Sequence, residues 1–238
     1  MPTYLLLNKP FQVLTQFTDS EGRETLAKYI STPGIYSAGR LDYDSEGLLL
    51  LTDDGALTHA MMDPKHKVPK TYYAQVEGLP SDESLLQLQS GLELKDGITK
   101  PCEAMIVDEP IWLWERNPPI RERKNIPTSW IKLTITEGKN RQVRRMTAAV
   151  GHPTLRLVRF SIGKLRLDDL KPGESRIIDK QLLSDNGIKW KAKKSSPKTA
   201  FTSKKPPKRP DQRRHRSRPN QNQSRTNGKT QPDNPKNR

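Results

Sequence analysis

Gly39-Arg40-Leu41-Asp42-Tyr43-Asp44-Ser45-Glu46-Gly47 runs directly into Leu48-Leu49-Leu50-Leu51. Four consecutive leucines leave no polar face, so they read as a strand buried on both sides. The acidic loop before them is therefore anchored in the core. Asp42, Asp44, Glu46 and Gly47, with Asp53 at the twelfth position, superficially fit a calcium loop. The fit fails in detail: the fifth position prefers Asp or Asn, the twelfth a bidentate Glu, and both flanks should be helical. Read on spacing alone, the loop holds either a functional acid or a set of turn-capping carboxylates paired with Arg40.

Working outward, Tyr4-Leu5-Leu6-Leu7 predicts a strand ended by Asn8-Lys9-Pro10, and residues 24–30 a short helix ended by Thr32-Pro33-Gly34. Asp53-Asp54-Gly55 turns into a helix over residues 56–62, and residues 70–77 alternate as a strand. Ser81, followed by Asp82 and Glu83, is a good cap for a helix that stops at Gly91. Residues 103–108 predict a strand, and a proline-rich loop leads to another over 130–136, with Ile131, Leu133 and Ile135 on its buried face. Asn140 is expected to cap a helix to Val150, striped by Val143, Met146 and Val150, and a strand follows around 154–161. Strands and helices interleave without a βαβ period. The fold class is α+β, with a mostly antiparallel mixed sheet and flanking helices.

Charge separates the chain into two parts. Of 42 Lys+Arg and 27 Asp+Glu, residues 189–238 hold 17 and 2, whereas residues 1–188 hold 25 of each. The C-terminal stretch also carries seven prolines and few apolar residues, a composition that cannot offset the entropy of folding. It is expected to be a disordered basic tail on a folded body of residues 1–188. A flexible polycation beside a formally neutral body suits a nucleic-acid partner. Cys102 is the chain's one cysteine, which points to a reducing compartment and a cytoplasmic location. No apolar run reaches 18 residues, so no membrane role is expected. The histidines form no zinc spacing, so no metal is expected.

Arg141, Arg144 and Arg145 crowd the start of a helix, where the helix dipole disfavours cations. Their placement calls for a carboxylate or phosphate partner.

Taken together, four spaced segments resemble the successive motifs of the bacterial ribosomal-RNA pseudouridine synthases. They are Gly39 to Asp42 with Asp44 to Thr52, Lys70-Thr71-Tyr72, Glu137 to Met146, and Leu157 to Gly163. The loop from Trp112 to Trp130 is most similar to members that modify the large-subunit (23S) RNA. Two departures stand out: the Asn8-Lys9-Pro10 motif begins with no room for the S4-type RNA-binding domain common in the family, and Gln12 replaces a usual glycine.

The resemblance implies a cofactor-independent isomerase of the pseudouridine synthase fold, acting on 23S ribosomal RNA or its precursor as a monomer, with base flipping. It assigns Asp42 as nucleophile and Arg144 as its ion-pair partner, with Arg145 as the substitute. It assigns Tyr72 to stack on the uracil and assist loss of the C5 proton, with a packing role as the alternative. Arg40, Lys9, Arg141, Arg145 and Arg159 fall to RNA contact or support. For Arg40, filling the vacated base stack, holding a phosphate and pairing with a nearby acid all stay open. A non-catalytic RNA-binding assembly factor is the alternative function; a hydrolase would want a metal or histidine cluster that the sequence lacks.

Overall fold

A computed structural model describes residues 1–63, 65–120 and 126–191. The expected basic tail lies outside these residues beyond Lys191, as does the Arg121 to Asn125 part of the proline-rich loop. Met1–Lys194 groups as one compact unit.

The strands are β1 (Tyr4–Lys9), β2 (Tyr36–Ser37), β3 (Glu46–Thr52), β4 (Lys70–Glu77), β5 (Glu93–Leu94), β6 (Gly97–Ile98), β7 (Glu103–Val107), β8 (Thr128–Ile135), β9 (Thr154–Ile162), β10 (Leu165–Arg166) and β11 (Ser175–Ile178). The helices are α1 (Gly55–Met62), α2 (Asp82–Ser90), α3 (Gln142–Ala149) and α4 (Lys180–Asp185). The main sheet runs β11-β1-β3-β9-β4-β8-β7, with β2 added beside β3 and β10 beside β9. Its pairs are antiparallel except for a short parallel contact between β3 and β9, Glu46 with Val158 and Gly47 with Arg159. The expected α+β class and mixed, mostly antiparallel sheet are what forms.

All seven residues of β3 are buried. Leu48 and Leu50 enter one core with Leu6, Leu57 and Val158, while Leu49 and Leu51 enter another with Leu5, Leu7 and Leu26. The unbroken leucine run is thus explained by two cores, one on each face of the sheet. A third core joins β4, β8 and β9 to α2 and α3 through Ala74, Leu88, Ile131, Leu133, Met146 and Leu157. The parallel seam depends on Gly47: its φ is 105°, and a Cβ there would stand 2.4 Å from the Arg159 carbonyl oxygen. No side chain fits at that approach.

Local signals placed several elements closely. Ser81 caps α2, its hydroxyl accepting from Ser84 N–H at 3.2 Å, and β4 spans the expected 70–77. Two expectations are corrected. Residues 24–30 form only a 3-10 turn, Leu26–Lys28, because Glu24 and Leu26 hydrogen-bond with Leu14 and Gln16 across the loop instead of continuing a helix. The cap of α3 is Arg141 rather than Asn140, in the left-handed region at φ 47° and without a side-chain cap bond. The Gln142 side chain reaches back to accept from the Lys139 amide at 2.9 Å. The body also continues past Ile188: Trp190 donates to Asp54 at 2.8 Å and packs edge-on against Tyr4 at 5.6 Å.

Candidate active site

The loop before β3 is fixed at several points. The Thr15 hydroxyl donates to the Leu41 carbonyl at 2.6 Å and accepts from the Leu41 amide at 3.3 Å, so the backbone beside Asp42 is held from both sides. Ser45 N–H then closes the turn onto the Asp42 carbonyl at 3.1 Å. Buried Arg159 reaches from β9 to donate to the carbonyls of Leu48 at 2.7 Å and Arg40 at 3.4 Å. Asp42 is presented on this frame with 29% of its side chain exposed. A carboxylate both immobilised and reachable is what a nucleophile needs.

The arginines of α3 converge on the loop, in a pattern unlike the expected one. Arg144 places Nε 3.5 Å from Asp44 Oδ2, donates through Nη2 to the Asp44 carbonyl at 2.6 Å, and binds the Thr154 carbonyl at 3.3 Å. The predicted Arg144–Asp42 pair is therefore an Arg144–Asp44 pair. Arg141 is the arginine beside the nucleophile, with Nη1 3.8 Å from Asp42 Oδ2. Arg141 also clamps both oxygens of Asp44 at 2.7 Å. Burial alone would raise the Asp44 carboxyl, but the hydrogen bonds from Arg141 and the charges of Arg144 and Arg141 hold it below the usual carboxylate range. Arg145 turns away and binds Asp96 through both terminal nitrogens, at 2.6 and 3.0 Å. The three helix-start cations are thus met by three carboxylates, Asp42 and Asp44 on the acid loop and Asp96 between β5 and β6.

Tyr72 is 8% exposed and shares a core with Leu41, the neighbour of Asp42. Strand pairing slips beside it: Thr71 pairs with Ser161 but Tyr72 with Arg159, leaving Phe160 as the extra residue. Such bulges re-aim side chains next to active sites. Two expected RNA contacts are corrected. Lys9 has no exposed surface and Arg159 only 3%, so in this conformation neither reaches an outside phosphate. Lys9 instead donates to the carbonyls of Pro10 and Val13, each at 2.8 Å. Burial pushes its ammonium down to about 7, with Glu46, Asp44 and Asp42 opposing. Arg40 is exposed, and among the described residues no ion pair joins its guanidinium to a carboxylate.

Sequence reasoning missed the roles of Asp44, Thr15 and Glu46. Glu46, 1% exposed, accepts from Arg156 at 2.9 and 3.0 Å and from the Trp114 indole at 2.8 Å. That contact docks the loop between β7 and β8 onto the sheet, beside Trp112, which stacks on Phe160 at 4.9 Å. The signal was present in Trp112 and Trp114, two tryptophans too apolar for a free loop.

A partly exposed aspartate on a loop tied at several points, with Arg141 facing it and Arg144 holding the loop, suits an enzyme that works through a carboxylate. The RNA pseudouridylate synthase family matches residues 3–149. Ribosomal large subunit pseudouridine synthase E of Vibrio parahaemolyticus is 56% identical over 73% of this chain and 73% of its own length. Its namesake in Xanthomonas axonopodis pv. citri is 58% identical over 71% of this chain and 90% of its own length. A solved pseudouridylate synthase superposes with a TM-score of 0.65 at 31% identity, covering 78% of this chain and 74% of that one. The chain belongs to the RNA pseudouridylate synthase family, and it is an isomerase that converts uridine in RNA to pseudouridine.

Proposed function

We propose that this chain isomerises a specific uridine in the 23S RNA of the large ribosomal subunit, with Asp42 as nucleophile. The two relatives named for the large ribosomal subunit support the substrate. The observation that carries the nucleophile is Asp42 itself, partly exposed on a loop tied by Thr15 and closed by Ser45. The reaction breaks the N1–C1′ bond, turns the uracil, and forms the C5–C1′ bond; C5 loses a proton and N1 gains one. Nothing is oxidised or reduced, so no cofactor is required.

In this reading the target uridine flips out of its stack to reach Asp42. Arg141 faces the Asp42 carboxylate at 3.8 Å, and Arg144 holds the loop through Asp44. Tyr72 forms the floor under the uracil and assists removal of the C5 proton. Arg40, exposed two residues before the nucleophile, occupies the vacated stack or holds a phosphate. The acting form is the monomer, in the cytoplasm, with the basic tail adding phosphate contacts. The test is pseudouridine mapping of ribosomal RNA in cells lacking the protein, complemented with wild type or with Asp42→Asn. One large-subunit site is expected to be lost and restored by wild type alone; restoration by Asp42→Asn would remove Asp42 from the chemistry.

A further inference from the structure

Phe11 stands apart from the other phenylalanines and tryptophans described. Phe17, Phe160, Trp112, Trp114 and Trp190 pack on the cores, and Trp130 is buried. Phe11 is half-buried, joins no core, and has one ring contact: the Arg116 guanidinium lies over it, 4.2 Å from the centroid. The turn presenting it is costly. Gln12, the next residue, sits at φ 56°, a left-handed conformation that a non-glycine residue rarely adopts. Lys9 holds that turn closed through the Pro10 and Val13 carbonyls. The same segment continues into Thr15, which grips Leu41 beside the nucleophile. The ring is thus held on the strand of chain that flanks Asp42.

Arg116 reaches Phe11 from the docked loop between β7 and β8. Its edge is spent on backbone: Nε donates to Pro118 O at 2.9 Å, Nη2 to Pro119 O at 3.1 Å, and Nη1 to Leu155 O at 3.5 Å. Three donors committed to carbonyls leave a poor fork for a phosphate. What the arrangement offers is the plane of a guanidinium already stacked on a ring, and unpaired RNA bases stack on such planes. Arg116 and Arg144 donate to the carbonyls of the consecutive residues Leu155 and Thr154, at 3.5 and 3.3 Å, and Arg144 in turn holds the acid loop at the Asp44 carbonyl.

We propose that Phe11 and Arg116 form a stacking step that receives one unpaired base of the substrate RNA next to the flipped uridine. The step reads the shape of the flipped-out strand and sets which uridine faces Asp42. It rests on the RNA-modifying reading above, in that the RNA must lie across the acid loop.

The test is an affinity cycle on the full chain, kept on the Asp42→Asn background so that turnover does not enter. The probe is the large-subunit RNA segment that the protein protects from chemical probing, made with a single abasic site at each unpaired position in turn. One position is expected to weaken binding by about 5- to 150-fold, the range one stacked base contributes. Arg116→Ala should weaken the intact RNA by a similar factor and be insensitive to that abasic site. Phe11→Leu, which keeps the volume and loses the ring, should reduce the same sensitivity. A merely structural role would lower affinity for all RNAs alike, and abasic penalties unchanged in both variants would overturn the proposal. Absence of pseudouridine in wild-type mapping, with an intact cycle, would fault the assigned reaction and leave the stacking step standing.

Discussion

Two carboxylates on the same loop, Asp44 and Glu46, each take a bidentate arginine, and the two pairs do different work. Glu46–Arg156 is sealed at 1% and 5% side-chain exposure, with Trp114 donating to the same carboxylate. Asp44–Arg141 is open, at 33% and 44% exposure, and its arginine also faces Asp42 at 3.8 Å. Their places in the chain separate them: Glu46 begins β3 and is buried, while Asp44 belongs to the turn before it. The closed pair joins β3, β9 and the docked loop, and the open pair is accessible to a substrate. A buried pair is a commitment of the fold, because either charge left alone has no water to turn to.

The largest effect should come from breaking the sealed pair on one side. Arg156→Ala leaves the Glu46 carboxylate buried without its cation and is expected to cost about 3–5 kcal/mol, read as a lower urea midpoint. The double change Glu46→Leu with Arg156→Met should recover most of that stability, since replacing both charges by apolar groups is often near neutral. A double variant as unstable as the single would mean the pair itself, rather than the orphaned charge, holds the seam.

The open pair should behave the other way round. Asp44→Asn is expected to change stability by no more than about 1 kcal/mol, as exposed ion pairs do. Turnover should fall far more, because Arg141 and Arg144 both lose the anion that aims them. The Asp44 carboxyl is held below its usual value, so its contribution exists at neutral pH and disappears as pH drops below the ordinary 3.8. Wild type and Asp44→Asn should therefore converge in stability in acid. Full activity in Asp44→Asn would make the clamp an incidental surface pair.

What the sequence displayed and what it concealed divide along the same line. The four leucines, the Ser81 cap and the alternation of β4 are local signals, and each element formed where its own residues put it. The start of α3 was misplaced because its backbone answers to Asp44, 97 residues away, through Arg141. Which arginine faces Asp42 was equally hidden: Arg141 and Arg144 lie within one helical turn, and only the approach of α3 to the loop chooses between them. Lys9 and Arg159 read as RNA contacts or supporting residues from their motif positions alone. Both are instead spent on backbone carbonyls within the frame. The helix α4 was overlooked although Asp179, whose carboxylate accepts from Leu182 N–H at 2.7 Å, was a legible cap.

Lys9, buried at the end of β1 and bound to the Pro10 and Val13 carbonyls, gives the subtlest prediction. Burial depresses its ammonium, while Glu46, then Asp44, with Asp42 contributing least, oppose that shift. Unfolded, the lysine holds its proton up to the ordinary 10.5; folded, it releases it near 7. Between those values the unfolded chain binds more protons, so stability should rise with pH, by at most about 1.4 kcal/mol per unit from this group. Lys70, lowered by burial to about 8, adds in the same direction. Cys102, raised by burial from 9.0 to about 11, opposes it only at higher pH, which makes pH 7 to 9 the window to measure. Urea midpoints should climb across that window in wild type and climb less in Lys9→Met. An identical slope in the variant would mean that Lys9 stays charged, and that the acid loop is held by a buried cation as well as by its arginines.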